Sequence, residues 1–191
     1  MKRVARQDLL DWATYADRRA ALRAAAMAAK QLRRVHVGDS LTFLFESFET
    51  IRYQIHEMMR AEKIVREEDI AHEIETYNEL VPGPSELSAT IFIEYSERDE
   101  RDRMLAKLAG IDDKFWLEVA GERSFVVPDR RNERKDRTLA VHYVKFPLSP
   151  AGLEALRAER GPIRLGVDHP GYSASVELGG DALGALSEDL A

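Results

Sequence analysis

The chain has 191 residues, 45% of them apolar and 32% charged, with a net charge of −6. It contains no cysteine, which excludes disulfides, thiolate catalysis, zinc–thiolate sites and iron–sulfur ligation by this chain. No apolar run reaches the roughly 18 residues of a membrane span, and the opening MKRVARQDLLDWA lacks the apolar core of a signal peptide, so a cytoplasmic protein is expected, with no membrane partner.

The length suits one domain over residues 1–191, mainly helical to 82 and sheet-rich from 83. Charge is unevenly placed. Met1 to His36 carries nine basic residues against three acidic, and Glu46 to Glu100 carries fifteen acidic against five basic. The two ends can pair electrostatically, within a chain or across a homodimer. The acidic total argues against nucleic-acid binding.

Taken in order, residues from about Arg6 to Arg34 read as helix. The run RAALRAAAMAAKQLRR has high helix propensity and a narrow face of Leu22, Ala25, Ala26 and Ala29. Asp8 is placed to cap a short initial helix. VHVGDSLTFLFE reads as a strand or hairpin turning at Gly38-Asp39 and ending on Glu46. Two helices follow. Ile51, Ile55, Met58 and Met59 share one face of the first, with Glu62 in its middle. Ile70, Ile74, Tyr77 and Val81 share a face of the second, with Glu73 at its edge. A short link around Lys63 to Glu68 makes them an antiparallel hairpin with Glu57 level with Glu73, stopped by Pro82-Gly83-Pro84.

The second half is richer in strands. LSATIFIEY is a strong strand, and SERDERDRMLAKLAG a short helix with Ser96 as its cap and Gly110 as its stop. FWLEVAGERSFVVPD reads as a hairpin turning at Gly121-Glu122. The charged stretch Arg130 to Arg137 reads as a solvated loop leading to the strand TLAVHYVKFPL. LSPAGLEALRAERG is a helix with Pro150 in its first turn. IRLGVDHPGYSASVEL gives two strands around His169-Pro170-Gly171, and DALGALSEDLA a last helical turn or a frayed tail. About six strands without βαβ alternation give an α+β fold: a mainly antiparallel sheet with the N-terminal helices, including the helix hairpin, packed on one face.

The strings LFESFETIRYQIHEMMRAEKI, HEIETYNELVPGPSELSATIFIEY, AVHYVKF and VDHPGY, in that order, closely resemble the domain of unknown function 3501 family of uncharacterised bacterial proteins. The resemblance spans nearly the whole chain and carries no established activity. It implies an iron or oxidative-stress setting, with a rubrerythrin-like or iron–sulfur oxidoreductase partner.

Candidate site residues gather on the helix pair. Glu57, Glu62 and Glu73, with His56 and His72, suggest a carboxylate-bridged metal site for iron or another divalent ion. Against it, the pair contains no Glu-x-x-His; Asp69-x-x-His72 comes nearest, and both histidines lie opposite the apolar faces. The competing reading pairs Glu62 with Arg66 or with an arginine of the first helix, so no cofactor is predicted. Arg52, Arg60 and Gln54 flank the same face, where an arginine beside a carboxylate either fixes helix register or grips a small anion. Tyr53, Tyr77 and Asn78 either line such a pocket or serve packing and helix ending. Glu46, His142 and His169 complete the candidate ligand-binding set, the two histidines bearing acid–base chemistry only if they meet beside a core carboxylate. The expectation from these observations and the resemblance is a non-catalytic interaction or accessory protein, a homodimer serving an iron- or redox-linked enzyme system. The alternative is an enzyme, or a metal- or small-anion-binding protein, built on the carboxylate–arginine cluster of residues 50–78.

Overall fold

The computed structural model describes residues 2–129 and 136–190. Nine strands among these residues divide between two antiparallel sheets. One sheet runs in the order β1 (Arg34–Val37), β2 (Leu41–Phe45), β3 (Glu86–Ile93), β7 (Val141–Pro147) and β6 (Val127–Pro128). The other runs β5 (Glu122–Phe125), β4 (Phe115–Val119), β8 (Ile163–His169) and β9 (Tyr172–Leu178). Alternate residues of both sheets point inward and form the main core, Phe43, Ile91 and Phe146 from one meeting Phe115, Leu117 and Leu165 from the other. Phe43 and Phe115 meet edge to face at 5.5 Å.

The α+β class and the antiparallel pairing are as expected, but the strands are more numerous and form a sandwich. The segment read as the second arm of one hairpin is shared between sheets. At buried Val126, whose N–H donates to the Phe115 carbonyl, the chain leaves β5 in one sheet and enters β6 in the other. On the far side Tyr172 joins the sheets. Its hydroxyl donates to the Val37 carbonyl at 3.0 Å and accepts from the Ser40 N–H at 3.1 Å. A Cβ on Gly38, at φ +66°, would stand 2.3 Å from that hydroxyl, so the predicted turn requires glycine there. The β4–β5 turn holds Ala120 and Gly121 at positive φ, the arrangement whose twist suits a two-residue hairpin.

Six α-helices among the described residues surround the sandwich: α1 (Trp12–Leu32), α2 (Phe48–Ala61), α3 (Glu67–Asn78), α4 (Arg98–Lys107), α5 (Pro150–Arg157) and α6 (Gly180–Asp189). Asp11 caps the long helix, accepting from the Ala13 and Thr14 N–H groups at 3.0 Å. Asp8 closes a 3₁₀ turn by accepting from Ala5 N–H. The α2–α3 pair has a core of its own, Ile51, Ile55, Met59, Ile70 and Val81, completed by Val4 and Leu9 of the N-terminal arm. It lies against the outer face of the five-stranded sheet, the face opposite the main core. The C-terminal stretch is a full helix, because Leu186 and Leu190 insert into the main core. Most of the expected loop at Arg130 to Arg137 lies outside the described residues. No helix among the described residues is long and apolar enough to cross a membrane.

On the outer face of the four-stranded sheet the Trp116 ring lies over Gly166, and the Arg123 guanidinium stacks on it at 3.6 Å. A Cβ on Gly166 would come within 2.3 Å of that ring. Gly166→Ala is therefore expected to lower stability by about 1–3 kcal/mol, measured as a shift of the urea midpoint with unchanged slope.

Candidate functional site

The site begins at the corner where β2 becomes α2. The apolar run Leu41–Phe45 ends on Glu46, whose N–H donates to the Ser88 carbonyl at 2.8 Å and keeps the residue on β3. Ser47 and Thr50 then cap the helix reciprocally: Thr50 Oγ1 accepts from Ser47 N–H at 2.9 Å, and Ser47 Oγ accepts from Thr50 N–H at 3.4 Å. This cap turns the Glu46 side chain onto the outer face of the sheet. There the Thr50 hydroxyl donates to Glu46 Oε2 and the Thr90 hydroxyl to Oε1, both at 2.6 Å. Glu46 is 7% exposed.

A cavity of about 240 Å³ opens beside it, between the helix pair and the sheet. Its polar lining is Glu46, Lys30, Gln54, Tyr77, Thr90 and Tyr143, and its walls are Leu44, Ile51, Leu80, Phe92 and Val141. Gln54 lines the cavity with Tyr77, and burial pushes that phenol above its ordinary range. Three of the predicted residues, Glu46, Gln54 and Tyr77, are thus brought together. Lys30, Thr50, Thr90 and Tyr143 were not foreseen. Strand alternation puts Thr90 and Tyr143 on the outer face, but their placement opposite each other and beside Leu44 comes from the pairing register, which no local signal reports.

Glu57 has a different place. Arg19 of α1 binds it through two parallel contacts of 2.7 Å, and the Tyr15 hydroxyl donates to it at 2.7 Å. The Arg19 guanidinium holds the Glu57 carboxyl down at about 2, and burial raises the Tyr15 phenol. Arg6 pairs with Glu67 in the same way. The basic N-terminal region therefore meets the acidic hairpin within one chain through Arg6 and Arg19.

His56, expected away from the apolar face, is buried. The Tyr15 ring stacks on it at 4.5 Å; its Nε2 accepts from Leu10 N–H, and its Nδ1 donates to the Arg52 carbonyl. Burial lowers its pKa. Arg52 lies over the Phe48 ring and faces a second cavity, bounded by α1. Glu62 is also displaced from its expected position on the apolar face. The helix ends at Ala61, Lys63 turns the chain at φ +57°, and Glu62 is left exposed as the C-cap residue. Arg66 pairs with Asp69 rather than Glu62. Glu73 is half-buried, its pKa raised first by burial and then by the Glu62 charge, and Arg60 is exposed. Glu57, with both oxygens engaged by Arg19, is not available to join Glu62 and Glu73. No group of three His, Asp or Glu placed to hold a metal occurs among the described residues.

The remaining candidates have structural partners. Asn78 bonds both the N–H and the carbonyl of Val4, tying down the N-terminal arm. His142 Nε2 contacts Thr138 Oγ1 and the Leu139 carbonyl, and burial lowers its pKa. His169 Nδ1 accepts from Gly171 N–H while Nε2 donates to the Ala109 carbonyl. The two histidines keep to separate partners, and neither contacts Glu46.

The chain belongs to the family described as "Protein of unknown function (DUF3501)", whose model matches residues 3–190. It is similar throughout to a crystal structure of a novel protein of unknown function from Burkholderia pseudomallei K96243. The two share 38% identity over 100% of both chains, with a TM-score of 0.93. No curated protein matches.

Because Arg19 depresses the Glu57 pKa in the fold, this pair adds stability above the ordinary carboxylate range, about pH 4.5, and loses it as pH falls toward 2. Glu57→Gln is expected to be less stable than the parent at neutral pH, with the gap closing across that acid window. Thermal melts from pH 7 to 2 measure both limbs.

Proposed function

We propose that this protein is a non-catalytic accessory protein that binds a small zwitterion of the amino-acid type in the cavity at Glu46. The carrying observation is the state of that carboxylate. It is buried and held by two neutral hydroxyls, and it pairs with no cation among the described residues. A carboxylate taken from water at such a site is costly unless a positive partner arrives. Each of its oxygens retains a further acceptor position beyond the threonine bond. An ammonium group answers both needs. Lys30, on the same cavity, supplies the charge for a carboxylate at the ligand's other end, and the Leu80 and Phe92 walls suit an apolar side group.

The histidines favour binding over acid–base catalysis, since His56 and His169 have both ring nitrogens in use. The small-anion alternative is absorbed in part, because Lys30 rather than Arg60 serves the ligand's negative end. A metal centre draws no support from Glu57, which Arg19 already occupies. A setting beside a rubrerythrin-like or iron–sulfur oxidoreductase is proposed as what the resemblance implies.

Isothermal titration with apolar L-amino acids tests the reading. At least one is expected to bind at one per chain, and Glu46→Gln and Lys30→Met are each expected to weaken it about tenfold or more. Binding unaffected by Glu46→Gln, or no binding across the series, contradicts the proposal.

A further inference from the structure

We infer that the cavity between α1 and α2 is a second binding site, for an amphiphile with a carboxylate head and a short apolar tail. The long helix α1 is fastened at both ends. Near its start Tyr15 and Arg19 hold Glu57, and Tyr15 stacks on His56. At its end buried Arg33 grips Asp189 of α6. Between these points a cavity opens along the face that the helix turns to its neighbour. Of its 21 residues only Tyr15 and Ala26 are buried. The middle of its inner face, Leu22, Ala25, Ala26 and Ala29, borders a cavity of about 260 Å³ whose opposite wall includes Tyr53 and His56. The alanines cut that wall back to methyl groups and leave an apolar channel along the helix.

The rim of the channel supplies the head-group chemistry. Arg18 and Arg52 both line it, and neither forms a close ion pair with a described residue; Arg52 lies over the Phe48 ring, 5.4 Å from its centre, and its charge acts on the Asp8 carboxylate only at longer range. Of the two carboxylates at the rim, Asp8 is taken by Lys2 at 2.5 Å and by Ala5 N–H, and Glu49 accepts from Ser47 Oγ at 3.3 Å. Two guanidiniums with no hydrogen-bonded acid partner at the mouth of an apolar channel fit a carboxylate, which each can bind through paired N–H donors. His56 presents no unused nitrogen, so the head is held by the arginines. The site is separate from the cavity at Glu46, with the Tyr53 ring, under Lys30, standing between them.

Octanoate, octanol and octyltrimethylammonium are the probes, titrated calorimetrically into the intact chain. Octanoate is expected to bind at one per chain, and the neutral and cationic analogues about tenfold more weakly or worse. Arg18→Gln and Arg52→Gln should each weaken octanoate about tenfold, and Ala25→Leu should block the channel. Arg18 and Ala25 are exposed, so those two variants carry the test even if Arg52→Gln fails to fold. Glu46→Gln should leave octanoate binding intact, which separates this site from the zwitterion site. Equal affinity for octanoate and octanol, absence of octanoate binding, or indifference to both Arg18→Gln and Ala25→Leu would overturn the inference.

Discussion

The organisation of this molecule turns on one buried carboxylate. Glu46 ends a strand, opens a helix and contacts a neighbouring strand, all within a few bonds. Its backbone follows the last residue of β2, one oxygen is held by Thr50 of α2 and the other by Thr90 of β3. A charge in such a place must be compensated, and the two hydroxyls do so only in part. They fix where the carboxylate points while leaving acceptor capacity toward the cavity. The same bonds set the angle at which α2 leaves the sheet, so the cavity and the group at its head are made by one piece of geometry.

The helix α1 gives this arrangement its outer boundary. It is a strut fastened by ion pairs at its two ends, and the alanines of its middle leave a cavity between it and α2. Lys30 sits where the strut reaches the sheet, its ammonium over the Tyr53 ring at 5.5 Å and facing the Glu46 cavity. A helix packed along its whole length would have filled the space that both cavities occupy. The open middle of α1 is thus as much a part of the binding architecture as the polar residues that line it.

Much of the fold was legible in the chain. The glycine turns, the strong strands and the helix pair all appear, although the second helix ends at Asn78, short of Pro82, and leaves Val81 beyond it. What failed were inferences that treated one element as having one face. His56 lies opposite the Ile51 and Ile55 stripe of α2, yet it is buried because Tyr15 and Leu10 cover that second side. Glu62 satisfies the helical spacing, but the helix ends one residue before it. Glu46 was readable as a carboxylate closing an apolar run; that Thr90 and Tyr143 would stand beside it depended on strand register. The split into two sheets was illegible for a similar reason, since a strand that changes sheets at Val126 has the same local pattern as one that does not.

The central claim is that Glu46 holds the ammonium of a small zwitterion. Free selenomethionine is an amino acid with an apolar side chain and a strong anomalous scatterer, so a crystal soaked in it locates the ligand directly. The account predicts a selenium peak against the Leu80 and Phe92 walls, with the ligand nitrogen bonded to Glu46, and no peak in Glu46→Gln crystals soaked alike. A cavity without selenium, or a peak that persists in the variant, would contradict it.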